Sequence, residues 1–282
     1  GGERMHPSVR LYRLLALGER EAVEEELIEA ARRNKVLLEA LRRAGYEGEL
    51  RRREEEELRR TAALVDEVAK ALDGAGVRYA FYKLRRPAAY VPSDVDVLAE
   101  DVEMAVEALR RRGFEVAGGN PLDVSLRRGE DGVDIYRHPS VGGMAYMDGD
   151  VLLGLAAWRE YNGVFVKSLA EDAEALATAA HAAYKEGIYT LGDYLTVKLW
   201  ASGRSRELAE ETKTVPALEL AVRMNEEIER GRPAPIRIGA WRIAALLAKK
   251  IAEDPLARRT ALRLAAELAK RPGVASRRLR GG

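Results

Sequence analysis

The sequence contains no cysteine. That excludes disulfides, thiolate nucleophiles and every zinc site built on sulfur. Histidine occurs only at His6, His138 and His181, which argues against a histidine-rich metal centre. Glutamine is absent, and asparagine stands only at Asn34, Asn120, Asn162 and Asn225. No apolar run reaches the ~18 residues that mark a membrane-crossing helix. The first residues, Gly1 to Arg10, do not read as a secretory leader. Charge of one sign is also missing. The chain has 47 Lys+Arg against 46 Asp+Glu, a net +1, which excludes a generally polybasic nucleic-acid coat and an acidic tail protein.

What is present is a foldable chain. At 282 residues and 47% hydrophobic it is long enough for about two domains, with a core that needs no staple. Charged residues make up 33%, above the roughly 25% of ordinary soluble domains. Dense Arg and Glu with few amides is the composition of a thermophile's protein, and the expected location is cytoplasmic.

Apolar residues at spacings of three and four, from Leu11, Leu14 and Leu15 to Val65, Val68 and Leu72, predict helix over 8–72, broken at Gly45 and Gly48. The block Arg51-Arg52-Arg53 followed by Glu54 to Glu57 reads as a solvated helix face. Residues 77–84 alternate as a strand does, 84–92 form a loop, and 93–99 form a second strand. Asp101 caps a helix that ends near Arg112 and Gly113. A short strand at 114–117 precedes a hairpin of 122–127 with 133–137. From about Asp150 the chain reads as helical, with one strand at 164–167 and helices near 171–186, 191–201, 205–211, 215–230, 238–252 and 255–270. Thr190 and Asp193 have capping-box spacing. Trp158, Trp200 and Trp241 are expected in the core, and His181 as a packed side chain. The expected fold class is therefore α+β: a helical region at 1–76, a small α/β core at 77–149, a helical domain at 150–271 and a loose tail at 272–282.

The chemistry concentrates in Ser93-Asp94-Val95-Asp96-Val97. In a strand, Asp94 and Asp96 face one side while Val95 and Val97 face the core. Two carboxylates held that close repel, and a divalent cation offsets the repulsion. Magnesium favours one or two carboxylates plus phosphate oxygens. Asp134, in Val133-Asp134-Ile135, is the candidate third acid, with Asp123 its rival. Three acids on one sheet face fit two-metal phosphoryl transfer, and Asp134 is also a candidate base for the hydroxyl proton.

Residues 77–137 resemble the nucleotidyltransferase fold shared with DNA polymerase β. The carriers are Asp94-Val95-Asp96-Val97 and Asp134. The wider chain is similar to uncharacterised nucleotidyltransferase-like proteins, of an archaeal thermophile type. The flanking matches are Arg33-Asn34, Gly113-Phe114, Val133-Asp134-Ile135, and His181 with Lys185. The resemblance implies a small mixed sheet with helices and transfer of an NMP from an NTP to a hydroxyl, releasing pyrophosphate. It implies Mg²⁺ or Mn²⁺ held by Asp94, Asp96 and Asp134. One feature departs from the family. The glycine of its phosphate loop is absent from Tyr82-Lys83-Leu84-Arg85-Arg86, so Lys83, Arg85 (or Arg86) and Ser93 are the candidate nucleotide contacts. The expected partners are an NTP and an acceptor that is RNA, a protein or a small molecule. No membrane partner is expected, and a homo-oligomer stays open. The alternatives are a catalytically degenerate binding or assembly module of the same fold and an RNA-binding helical protein.

Overall fold

The computed structural model describes residues 4–270. Four helices come first: α1 (Pro7–Leu17), α2 (Glu25–Arg33), α3 (Leu37–Arg43) and α4 (Glu49–Gly74). The expected helix over 8–72 is thus divided twice more than its glycines at 45 and 48 suggest. Gly18 ends α1 with a φ of 70° and an N–H donated to the Arg13 carbonyl, a left-handed cap that glycine adopts without strain. Asn34 and Lys35 turn the chain after α2, Lys35 with a φ of 56°. The charged block on α4 faces solvent as expected, with Arg51–Glu47 and Arg59–Glu56 pairs along the helix and Arg42–Glu55 to α3.

The sheet follows. Its strands are β1 (Tyr79–Phe81), β2 (Val95–Ala99), β3 (Glu115–Asn120), β4 (Asp123–Arg128) and β5 (Asp131–Tyr136), with α5 (Val102–Arg110) between β2 and β3. The Asp101 side chain caps α5 by accepting from the Met104 N–H. Beyond β5 lie a small hairpin, β6 (Ser140–Val141) and β7 (Met144–Ala145), then α6 (Gly149–Leu153), β8 (Ala157–Tyr161) and β9 (Val164–Ser168). Seven strands form one mixed sheet in the order β3-β4-β5-β2-β1-β9-β8. β2 runs antiparallel to β1 and parallel to β5.

Strand β9 is the one expected at 164–167, and its hairpin partner β8 corrects the helical reading beyond Asp150. The hairpin turns through Asn162 and Gly163, both at positive φ (44° and 88°). Asn-Gly is the dipeptide that tight hairpins favour. Trp158 therefore lies on a strand and is 55% exposed, not in the core, and Trp241 is 90% exposed. Periodicity placed both in helices, but neither stretch buries the face that carries the indole.

The C-terminal part is helical: α7 (Glu171–His181), one π-helical turn (Ala182–Glu186), α8 (Leu191–Trp200), α9 (Gly203–Glu211), α10 (Val215–Glu229), α11 (Ala240–Glu253) and α12 (Pro255–Lys270). A short pair, β10 (Ile188–Tyr189) with β11 (Ile236–Arg237), ties the π turn to the segment before α11. The capping box forms at α8, where Thr190 and Asp193 bond reciprocally.

The sheet's two faces bury different partners, as strand alternation requires. Tyr79, Phe81, Val95, Val97, Val133 and Ile135 pack against α4 and α5. Ala80, Tyr82, Leu98 and Tyr136 join the core of the C-terminal helices and α1–α3. The architecture is α+β, a central mixed sheet with helical regions before and after it.

Candidate functional site

Asp96 and Asp134 are partners in register on the adjacent parallel strands β2 and β5. Residues opposed in register point to the same face, so both carboxylates leave the sheet on the side of Leu98 and Tyr136. Asp94 precedes β2 by one residue and keeps the same side. All three line one cavity of ≈ 170 Å³ with Lys35, Lys83, Ser93, Tyr136, His181 and Lys185 among its walls.

Each acid has a different environment. Asp94 accepts two bonds from the Arg127 guanidinium, at 2.6 and 3.3 Å. Gly132 makes room for that pair, since a Cβ there would fall on both Arg127 and Asp94. Asp96 pairs with Lys83 Nζ at 3.0 Å, the lysine side chain nearly buried. Asp134 has a buried Oδ1 with no hydrogen-bond partner. Burial pushes the Asp134 carboxyl above the usual range; Asp96 and Asp94 add to the rise, while Ser125 and Arg127 oppose it.

Lys83, which follows β1, takes the left-handed conformation, with a φ of 56°. Its amide does not face open space. It donates to Glu174 Oε2 at 2.7 Å. Glu174 is fully buried in α7, and its Oε1 has no partner. Burial pushes this carboxyl up to about 8, against the pull of the Lys83 amide and of Arg86, Arg85 and Lys83. Sequence reasoning missed Glu174. Its signal was a lone acid inside the alanine-rich Ala173–Ala180 stretch, where every neighbour is apolar or small.

His181 and Lys185 arrive from α7 and the π turn. Lys185 Nζ donates to the Tyr136 hydroxyl at 3.1 Å. His181 Nε2 lies 3.3 Å from Glu186. Burial, then Lys83, Lys185, Lys35 and Arg86, hold His181 well below its ordinary value, so the ring is neutral at pH 7. It also lines the acid cavity, beyond the packing role its sequence context suggested.

Two expected contacts lie elsewhere. Arg85 turns away from the acids, to Glu171 at 3.7 Å and the Leu169 carbonyl at 3.4 Å. It lines a separate cavity with Trp200 and Glu160. Asp123, the rival third acid, accepts from Asn120 and Ser140 and does not border the acid cavity. Among the described residues no group of three or more His, Asp or Glu side chains is set to hold a metal ion. Two of the three acids are engaged by cations of the chain itself. Even so, the donor set is all oxygen, the chemistry a hard divalent cation takes, and Asp134 Oδ1 is a buried oxygen with nothing bound to it.

No family model matches this chain. No curated protein matches it either. Among solved structures it resembles the antibiotic-resistance factor ANT(2'')-Ia, at 13% identity and a TM-score of 0.32, over 73% of this chain and 97% of that one. It also resembles an antigenic nucleotidyltransferase-like protein from Paracoccidioides brasiliensis, at 13% identity and a TM-score of 0.30, over 71% of this chain and 89% of that one.

Proposed function

We propose that the protein is a metal-dependent nucleotidyltransferase that moves an NMP from an NTP to a hydroxyl acceptor. The observation that carries this reading is the register of Asp96 with Asp134, beside Asp94, in a cavity walled by Lys35, Lys83 and Lys185. Carboxylates alone suit a cation, and lysines alone suit an anion. The two sets together suit a metal-bound triphosphate.

Asp94, Asp96 and Asp134 are the residues that would hold Mg²⁺ or Mn²⁺. Such an ion, once bound, polarises the phosphoryl oxygens and lowers the pKa of an attacking hydroxyl. The chain's own groups do the rest. Lys83 and Lys185 offset triphosphate charge, and Ser93 borders the same space. Lys83 is paired with Asp96 now, so an incoming phosphate competes for it. The acceptor oxygen bonds to the α-phosphorus, and the bond from that phosphorus to the bridging oxygen breaks. Pyrophosphate leaves with the electron pair. Asp134, the acid without a pairing cation, takes the hydroxyl proton and passes it to water.

The decisive experiment is label transfer. Protein is incubated with α-labelled NTPs, Mg²⁺ or Mn²⁺ and cell extract. Transfer by the wild type and none by Asp96→Asn is the expected result. No transfer by either protein, with no thermal protection by Mg–NTP, overturns the reading. It then favours a degenerate module of the same fold, for which the Arg127–Asp94 and Lys83–Asp96 pairs are the supporting observation.

A further inference from the structure

A second, larger cavity of ≈ 510 Å³ adjoins the acid cavity. It shares Lys35, Arg86, His181 and Glu186 with the acid cavity, so the two spaces meet. Its other walls come from distant parts of the chain: the end of α2, the start of α8, and the segment from Pro233 to Arg237.

One buried residue fastens these walls together. Asn34 is 0% exposed. Its Nδ2 donates to the carbonyls of Ala30 and Ala234, at 2.9 and 3.0 Å, and its Oδ1 accepts from the Leu191 N–H at 3.0 Å. The Gly192 N–H adds a bond to the Asn34 carbonyl. Three segments are thus fastened around one amide.

The charge inside is distinctive. Arg33, Lys35, Arg86 and Arg237 line it. In a chain laced with ion pairs, none of these four has an acidic partner within salt-bridge distance among the described residues; by contrast Arg10, Arg42 and Arg128 each hold a glutamate. Arg86 is the most exposed to this deficit. Its Nε and one terminal nitrogen are buried with no hydrogen-bond acceptor. The guanidinium stacks on the Tyr90 ring at 4.1 Å, but two charged nitrogens without water or acceptor are costly unless something anionic supplies the acceptors. The carboxylates nearby do not supply them: Asp193 is committed to the Thr190 cap, Glu186 lies against His181, and buried Glu174 makes no hydrogen bond to Arg86.

We propose that this cavity binds the acceptor, and that the acceptor is a small phosphate monoester carrying a free hydroxyl. The acceptor role rests on the transferase reading; the anion site does not. Four cations against two carboxylates leave two positive charges, which match a phosphate monoester at neutral pH. Arginine forks suit its oxygens better than they suit a single negative point. The volume is that of a small-molecule pocket. Continuity with the acid cavity lets the far hydroxyl of such a molecule reach the α-phosphorus while its phosphate stays on Arg86.

The test is thermal protection at fixed ionic strength, with ribose 5-phosphate as probe and ribose plus potassium chloride as control. Arg33 and Arg237 are exposed, so the double variant Arg33→Gln/Arg237→Gln retains its fold. Ribose 5-phosphate is expected to raise the wild-type midpoint and to need at least tenfold higher concentration in the double variant. Mg–ATP protection is expected to be equal in both proteins and lost in Asp96→Asn. No rise above the ribose control overturns the proposal, as does a rise that the double variant leaves unchanged. Protection by a polynucleotide without protection by the sugar phosphate overturns it too. Protection by ribose 5-phosphate with none by Mg–ATP supports the anion site and sinks the transferase reading, so the two failures are distinct.

Discussion

Lys83 Nζ lies 3.0 Å from an Asp96 carboxylate oxygen, both groups mostly withdrawn from water. Breaking one side of such a pair strands the other. Lys83→Met is expected to destabilise the fold by about 2 kcal/mol, because Asp96 is left facing Asp134 and Asp94 with no counter-charge. Lys83→Met combined with Asp96→Asn should recover most of that loss. Urea denaturation of the two single variants and the double variant gives the coupling directly. Additive effects would mean that the pair holds nothing together.

Glu174 sets a pH dependence. Its folded value is about 8, against an ordinary 4.5, with burial the main cause. The acid is therefore protonated in the fold over a range where it is ionised in the unfolded chain. Its contribution is fully present below about pH 4.5 and is lost as pH rises toward 8, at up to ~1.4 kcal/mol per unit. Glu174→Gln mimics the protonated side chain and still accepts from the Lys83 amide. The variant is expected to show a flatter fall in denaturation midpoint between pH 5 and 8 than the wild type. Parallel profiles would assign the proton elsewhere.

Much of this arrangement is legible in the sequence. The Asp94–Asp96 spacing, the valines between and after them, and the hairpin bearing Asp134 are short-range patterns, and strand alternation fixes which face each residue takes. The capping box at Thr190 was legible for the same reason. What stayed hidden depends on residues far apart in the chain. Arg127 looks like a surface arginine until β4 brings it to Asp94 across 33 positions. Glu174 reaches the Lys83 amide across 91. Strand β9 was legible at 164–167, but its partner β8 was not, although Asn162-Gly163 announces the turn between them. The turn at Lys83 is one that composition cannot supply: the lysine stands at positive φ with its amide fastened by a buried carboxylate.

Asn34 is expected to be the most sensitive asparagine in the chain. Asn34→Ala leaves the Leu191 N–H and the Ala234 carbonyl buried without their partner. Two orphaned backbone groups cost roughly 2–4 kcal/mol. Asn34→Asp keeps the acceptor for Leu191 but aims a carboxylate at the Ala30 and Ala234 carbonyls, so it should be at least as damaging. Denaturation of both variants checks the stability. A milder effect of Asp than of Ala would show that the Leu191 bond, not the amide's two donations, fastens the walls.

Asp134 offers a way to separate folding from chemistry. Its carboxyl is raised by burial and by Asp96 and Asp94, so the acids oppose one another. Removing one negative charge from an in-register neighbour relieves that repulsion, by about 0.5–1 kcal/mol. Asp134→Asn is therefore expected to melt slightly higher than the wild type without ligand. With Mg²⁺ and NTP added the order should reverse, since the wild type gains protection and the variant does not. A residue placed only for packing would give neither change, and a residue serving only the fold would lose stability in both conditions. Melting curves with and without Mg²⁺ and NTP distinguish these outcomes, and label transfer by the variant would remove Asp134 from the chemistry altogether.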